Sequence, residues 1–259
     1  MNKKNNLGKN LIFRLIFVAL FAVLTSRGAR ADEITVSAAA SLKDVLTSLG
    51  QDFSRRNPTK IAFNFGSSGT LQRQIEAGAP VDLFIAAAAK NVDALASQHE
   101  IESATRRILT RGELVLIAPR GSKLRSFSDL RGADVQSVSI GGPGVPAGDY
   151  ARQTLHFLRL DTVLSAKFVF AKDVRSVLNQ VASGNADAGL VYRTDALSTQ
   201  SVRIVASAPA KSHAPVIYPM AVVKAASNRA GALRFWRYLQ SASAQRTFQR
   251  FGFKNRIQK

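Results

Sequence analysis

Ile34-Thr35-Val36-Ser37-Ala38-Ala39-Ala40-Ser41-Leu42-Lys43-Asp44-Val45-Leu46-Thr47-Ser48-Leu49-Gly50-Gln51-Asp52-Phe53 is the stretch whose reading decides the fold. Ile34 to Ala38 predicts a short strand. Leu42, Val45, Leu46, Leu49 and Phe53 then recur at helical spacing. Small residues join the two, so the segment reads as a strand feeding directly into a helix.

The pattern repeats outward along the chain. Ile61, Phe63 and Phe65 alternate as in a half-buried strand, and Leu71 and Ile75 open a helix that stops at Gly78-Ala79-Pro80. Val81 to Ile85 is a third strand, followed by Val92, Leu95 and Ala96 at helical spacing. A second alternating region follows Pro119, with strands at Val138–Ile140, Phe168–Phe170 and Ala188–Tyr192 and helices between them. Two amphipathic helices close the chain around Leu233, Trp236, Phe248 and Phe251. Alternating strands and helices predict an α/β class with mostly parallel sheets flanked by helices. Two extended apolar runs, Glu113–Ala118 and Val216–Lys224, are the best places for the chain to pass between two halves.

The first 31 residues read differently. Lys3, Lys4, Lys9 and Arg14 precede an apolar run from Leu15 to Leu24, and Ala29-Arg30-Ala31 offers a small-x-small cleavage site. That order predicts a secretory signal peptide, 1–31, cut after Ala31. The run is too short for the roughly 20 residues that span a bilayer. The chain has no cysteine, which excludes disulfides and a cysteine-linked lipid anchor. Six of the 36 basic residues and none of the 17 acidic ones precede Asp32, so a formal charge of +19 becomes about +13 after cleavage. The basic residues are scattered rather than clustered. With export, this argues against nucleic acid and for a solvated surface that attracts anions.

Groups for catalysis are scarce. His99, His156 and His213 share no metal-ligand spacing, and no cysteine is available. Neither a Gly-x-Ser-x-Gly elbow nor a phosphate-binding Gly-x-x-x-x-Gly-Lys loop occurs. The chain reads as a non-enzyme without a cofactor. Small polar junctions between strand and helix do recur, where open α/β sheets bind ligands and helix N-termini favour anions. They are Ala38-Ala39-Ala40-Ser41, with Ser41 and Asp44 spaced as a capping box; Gly66-Ser67-Ser68-Gly69; Gly141 to Gly148, with a helix starting near Ala147; Lys172-Asp173-Val174-Arg175; and Tyr192 at the end of a buried strand. Any one alone also reads as a plain cap, turn or core residue.

Together these junctions resemble the periplasmic molybdate-binding protein family, ModA, receptors of ABC transporters. The resemblance runs over nearly all of residues 32–259. It is strongest at Ala38–Leu42, Gly66–Leu71, Arg73–Ile85, Val145–Gly148, Lys172–Arg175, Gly189–Tyr192 and Arg250–Phe253. It implies a two-lobe solute-binding fold (type II-like), with lobe I from 32–112 and 216–259 and lobe II from 113–215. It also implies a monomer in the periplasm that captures molybdate, and tungstate, between the lobes. The permease of an ABC importer and its ATPase would be its partners. Carried over by position, Ser41 and Ser68 donate from hydroxyl and backbone N–H, Ala147 and Val174 from backbone N–H, and Tyr192 from its phenol. The metal is held as an oxyanion through hydrogen bonds, with no direct metal ligands. Three departures from the family pattern are Gly69 where a third serine is common, four alanines at Ala86–Ala89, and Lys172 in place of an acid.

The donor set suits such a ligand. A fully deprotonated oxyanion has only acceptor oxygens, so a carboxylate in its shell would repel it. Other tetrahedral oxyanions, sulfate above all, remain the alternative. A phosphate receptor commonly wants a carboxylate to take the anion's proton, and no matched position supplies one. A regulator's sensing domain would need a DNA-binding segment ahead of residue 32.

Overall fold

The computed structural model describes residues 32–255, so the expected signal peptide lies outside the described residues. Two five-stranded sheets carry the chain. The first has the order β2-β1-β3-β10-β4, from Lys60–Gly66, Glu33–Ala39, Leu83–Ile85, Ile217–Val222 and Arg107–Arg111. The second has the order β7-β6-β8-β5-β9, from Phe168–Ala171, Val138–Gly141, Ala188–Tyr192, Leu114–Pro119 and Val202–Ser207. The α/β reading holds, with helices after β1, β2, β3, β6 and β7.

Each sheet is mixed. β1 pairs in parallel with β2 and β3, and β6 with β7 and β8. The fourth strand of each sheet, β10 or β5, runs antiparallel to both of its neighbours. These are the two apolar runs expected to bridge the halves. They are apolar because they are central strands, with Leu114 to Ala118 fully buried. The chain changes sheet just ahead of each one, and there the Gly112 N–H donates to the Val216 carbonyl at 3.0 Å.

The core explains the element choice. Ile34, Val36 and Ala38 of β1 are wholly buried, as are Leu42 and Leu46 of the segment that follows. Each buried Ile, Leu or Val is worth roughly 1.5–3 kcal/mol relative to exposure. The helix Lys43–Arg56 turns Phe53 against Phe235 at 5.1 Å between ring centroids. That contact ties the first helix to the second-to-last helix of the described residues, Arg229–Leu239. Among the described residues no helix is long and apolar enough to cross a membrane.

Candidate functional site

Strand ends from both sheets face one another across a small cavity of about 10 Å³. Clefts for drug-sized ligands run to roughly 300–1,000 Å³, so this one suits something much smaller. Ser41, Ser68, Ala147, Val174 and Tyr192 all line it. The structure brings together all five positions expected from the sequence.

Each position is set by the element carrying it. Ser41 lies in a single turn, Ala40–Leu42, directly after β1. Its hydroxyl is 3.1 Å from the Tyr218 hydroxyl. The expected capping box is not formed, because no side chain caps the helix that begins at Lys43. Burial beside a phenol from β10 has taken Ser41 out of that role. Ser67 is the cap of its helix instead, accepting the Thr70 N–H, which leaves Ser68 as the first helical residue. The Ser68 hydroxyl accepts the Ala87 N–H at 2.9 Å, so its own proton is left to donate elsewhere.

The second sheet contributes backbone. Pro146 and Ala147 are the first two residues of the helix Pro146–Phe157. Val174 opens the helix Val174–Ala182. The first N–H groups of a helix have no partner within it, and the helix dipole makes that end partly positive. Asp173 also lines the cavity, but its carboxylate caps its own helix by accepting the Ser176 N–H at 2.7 Å. Tyr192 ends β8, is 1% exposed, and its hydroxyl has no hydrogen-bond partner among the described residues. Burial pushes that phenol well above its usual pKa, so it is a neutral O–H donor. A buried polar group without a partner is rare in proteins.

Residues 34–254 match the family described as bacterial extracellular solute-binding protein. The molybdate-binding protein ModA of Haemophilus influenzae is 37% identical over 90% of this chain and 94% of its own length. YvgL of Bacillus subtilis, named as an ABC transporter substrate-binding lipoprotein, is 40% identical over 85% of each chain. The chain belongs to the ModA family. A solved structure of the periplasmic molybdate-binding protein of Azotobacter vinelandii has the same fold. It has a TM-score of 0.79 at 24% identity, over 86% of this chain and all of that one. Members of this family are extracellular binding proteins, not enzymes.

Several residues around this ModA-family cavity carry no local sequence signal. Tyr218 backs Ser41 from 177 residues away. Tyr150 donates to the Ala87 carbonyl at 3.3 Å, joining the second sheet's helix to the turn that holds Ser68. Desolvation first, with the nearby Asp149 adding to it, pushes the Tyr150 phenol up to about 12. Asp195 is wholly buried, and desolvation raises its carboxyl to about 7 against the pull of Arg175. Among the described residues no three His, Asp or Glu side chains gather as a metal site.

Direct contacts join the two sheets' elements around the cavity. The Gly69 N–H donates to the Gly144 carbonyl at 3.0 Å. A Cβ on Gly69 would sit 2.5 Å from that oxygen, so a serine there does not fit this arrangement. Gly144 has φ +80, a conformation that favours glycine. Lys90 pairs with Asp149 at 2.5 Å, and Arg175 with Asp44 at 2.5 Å.

Proposed function

We propose that this chain is the receptor that captures molybdate, and tungstate, outside the cytoplasm for an ABC importer. Lobe I comprises 32–112 and 216–259 and lobe II 113–215, with the anion held between them. Ser41 and Ser68 donate from the first lobe, and Ala147, Val174 and Tyr192 from the second. The loaded, closed receptor, a monomer, docks on the importer's permease, and the ATPase drives release into the cell. Export follows removal of residues 1–31.

The observation that carries this reading is the buried Tyr192 hydroxyl, unpartnered at a cavity it shares with two serines and two helix N-termini. The Asp173 carboxylate in the lining caps its own helix, and a tetrahedral dianion supplies an acceptor for each of those donors. Among the described residues no cation lines the cavity, so the anion's charge is balanced by dipoles and charge-assisted hydrogen bonds. Selectivity then rests on distance. Sulfate is smaller than molybdate, and donors placed for the larger ion leave it with stretched bonds. The relatives' names support molybdate as the ligand.

Titration calorimetry on residues 32–259 tests the reading. Molybdate and tungstate should bind with similar affinity, and sulfate and phosphate at least tenfold more weakly. Sulfate binding as tightly as molybdate would overturn the choice of anion. Failure of all four to bind would overturn the receptor.

A further inference from the structure

Arg175 follows Val174 and so stands at the start of a helix that faces the cavity. Its guanidinium has three neighbours. Nη1 donates to the Ser198 hydroxyl at 2.9 Å. Nε lies 2.7 Å from Oδ1 of the buried Asp195. Nη2 donates to Oδ2 of Asp44 at 2.5 Å. The first two partners belong to lobe II, and Asp44 belongs to lobe I.

That division has a physical consequence. Arg is a planar fork that loses less freedom per bond once its plane is fixed. Ser198, through a hydrogen bond, and Asp195, through a close ion pair, hold the plane from within lobe II. The third arm is then already aimed at Asp44. Asp44 in turn sits in the first turn of the helix beginning at Lys43, three residues after Ser41. The bridge therefore connects the segment carrying Ser41 to the helix start carrying Val174. It forms only where the two lobes meet.

Of the other charged pairs between the lobes, Lys254–Glu113 lies beside the crossing at Gly112, and Lys90–Asp149 lacks this support. Lys90 is 61% exposed, on a flexible stem, and its partner Asp149 is shared with Arg152 at 2.7 Å. Exposed pairs of that kind contribute little. Arg175 is 21% exposed, with a fully buried carboxylate behind it.

We propose that Arg175 is a positioning residue for oxyanion capture: held in lobe II by Asp195 and Ser198, it grips Asp44 as the cleft shuts and sets how long the anion is retained. The proposal rests on the receptor reading above for its ligand, and on the two-lobe geometry alone for its mechanism. Asp44 and Arg175 contribute to the lifetime of the closed state, not to the shell of donors. Their loss acts on release rather than encounter.

The chain has no cysteine, so two can be introduced for spin labels. Gln51→Cys and Asn179→Cys place one label on an exposed helical position of each lobe. Interlobe distances are measured by double electron–electron resonance with and without molybdate, and molybdate release by stopped flow. With Asp44→Asn or Arg175→Lys, the closed fraction under molybdate should fall and release should quicken about 3- to 10-fold. Association should not change, and with Asp44→Asn neither should the melting temperature of the ligand-free protein. Lys90→Met should leave both readouts as in the unaltered chain. Asp44→Asn with unchanged distances and unchanged release would overturn the proposal, as would an equal effect from Lys90→Met. If the unaltered chain binds no molybdate, the receptor reading fails, and the ligand-free distances decide the bridge. A short-distance population that Asp44→Asn removes upholds it. Persistence of that population, or none in the unaltered chain, overturns it.

Discussion

The two sheets share one strand order, yet they furnish the cavity differently. The first presents two hydroxyls, Ser41 on a single turn after β1 and Ser68 on the first residue of the helix after β2. The second presents two helix starts, at Pro146 and Val174, and one phenol. Equivalent topology thus fixes where donors stand but not which atoms they are. A hydroxyl donor can be deleted by a point substitution. A backbone donor survives nearly every side-chain change.

The largest test removes a first-sheet donor. Ser68→Ala should weaken molybdate binding about 10- to 100-fold, the range for a hydrogen bond to a charged group. It should also lower stability by about 1–3 kcal/mol, because the Ala87 N–H loses its buried partner. Calorimetry and chemical denaturation read the two effects separately. Unchanged affinity would remove Ser68 from the shell.

The matching test on the second sheet is Val174→Pro. Val174 is the first helical residue, where proline is welcome, and Asp173 before it is extended at φ −158 and ψ 172. The substitution deletes the N–H and keeps the helix. Molybdate affinity should fall about tenfold with the circular dichroism spectrum preserved. Full affinity would mean that this helix contributes its dipole and not a bond.

The sheets also differ in how they bury an aspartate. Asp82, 2% exposed, accepts from Thr35 N–H, Asn228 N–H and the Ser227 hydroxyl. Asp195 is faced by Arg175, by the carboxylates of Asp44 and Asp173, and by the phenols of Tyr192 and Tyr218. Its folded-state carboxyl is raised to about 7, so the folded protein binds that proton more tightly than the unfolded chain does. Its stability contribution is complete at low pH and is lost as pH rises through about 7. Lowering pH from 8 to 6.5 should therefore stabilise the protein by about 1 kcal/mol. Carboxyls held below their usual range, such as Asp32 and Asp187, titrate in more acidic solution and do not offset it. Denaturant melts at the two pH values should show the gain in the unaltered chain and none in Asp195→Asn.

The smallest effect concerns the residue behind a donor. Tyr218→Phe removes the hydroxyl beside Ser41. Affinity should drop about 2- to 4-fold, since Ser41 keeps its own proton but loses its orientation. A larger loss would make Tyr218 part of the shell itself.

Legibility in the sequence followed the same division. Alternating apolar patterns gave away β1, β2 and their helices, because period and burial are local properties. The antiparallel course of β5 and β10 was not legible, since an apolar run looks the same in either direction. Ser41 and Ser68 announced themselves by residue type. Ala147 and Val174 bear no chemical mark, and only resemblance to a known family pointed to them. The capping-box spacing of Ser41 and Asp44 formed no cap, because the neighbour of Ser41, Tyr218, lies on a strand that returns from the far end of the chain. Arg175 and Asp195 stayed hidden for the same reason, as their meaning depends on Asp44 across the cleft.

Gly69 and Gly144 meet through main-chain atoms alone. Nothing in that contact can gain or lose a proton, and neither group carries a net charge for dissolved ions to screen. A protein working outside the cytoplasm meets acidity and salinity that its cell does not regulate. Lys90–Asp149 and Arg175–Asp44 will loosen or tighten with the weather of that medium. The glycine seam keeps one part of the grip the same in all of it.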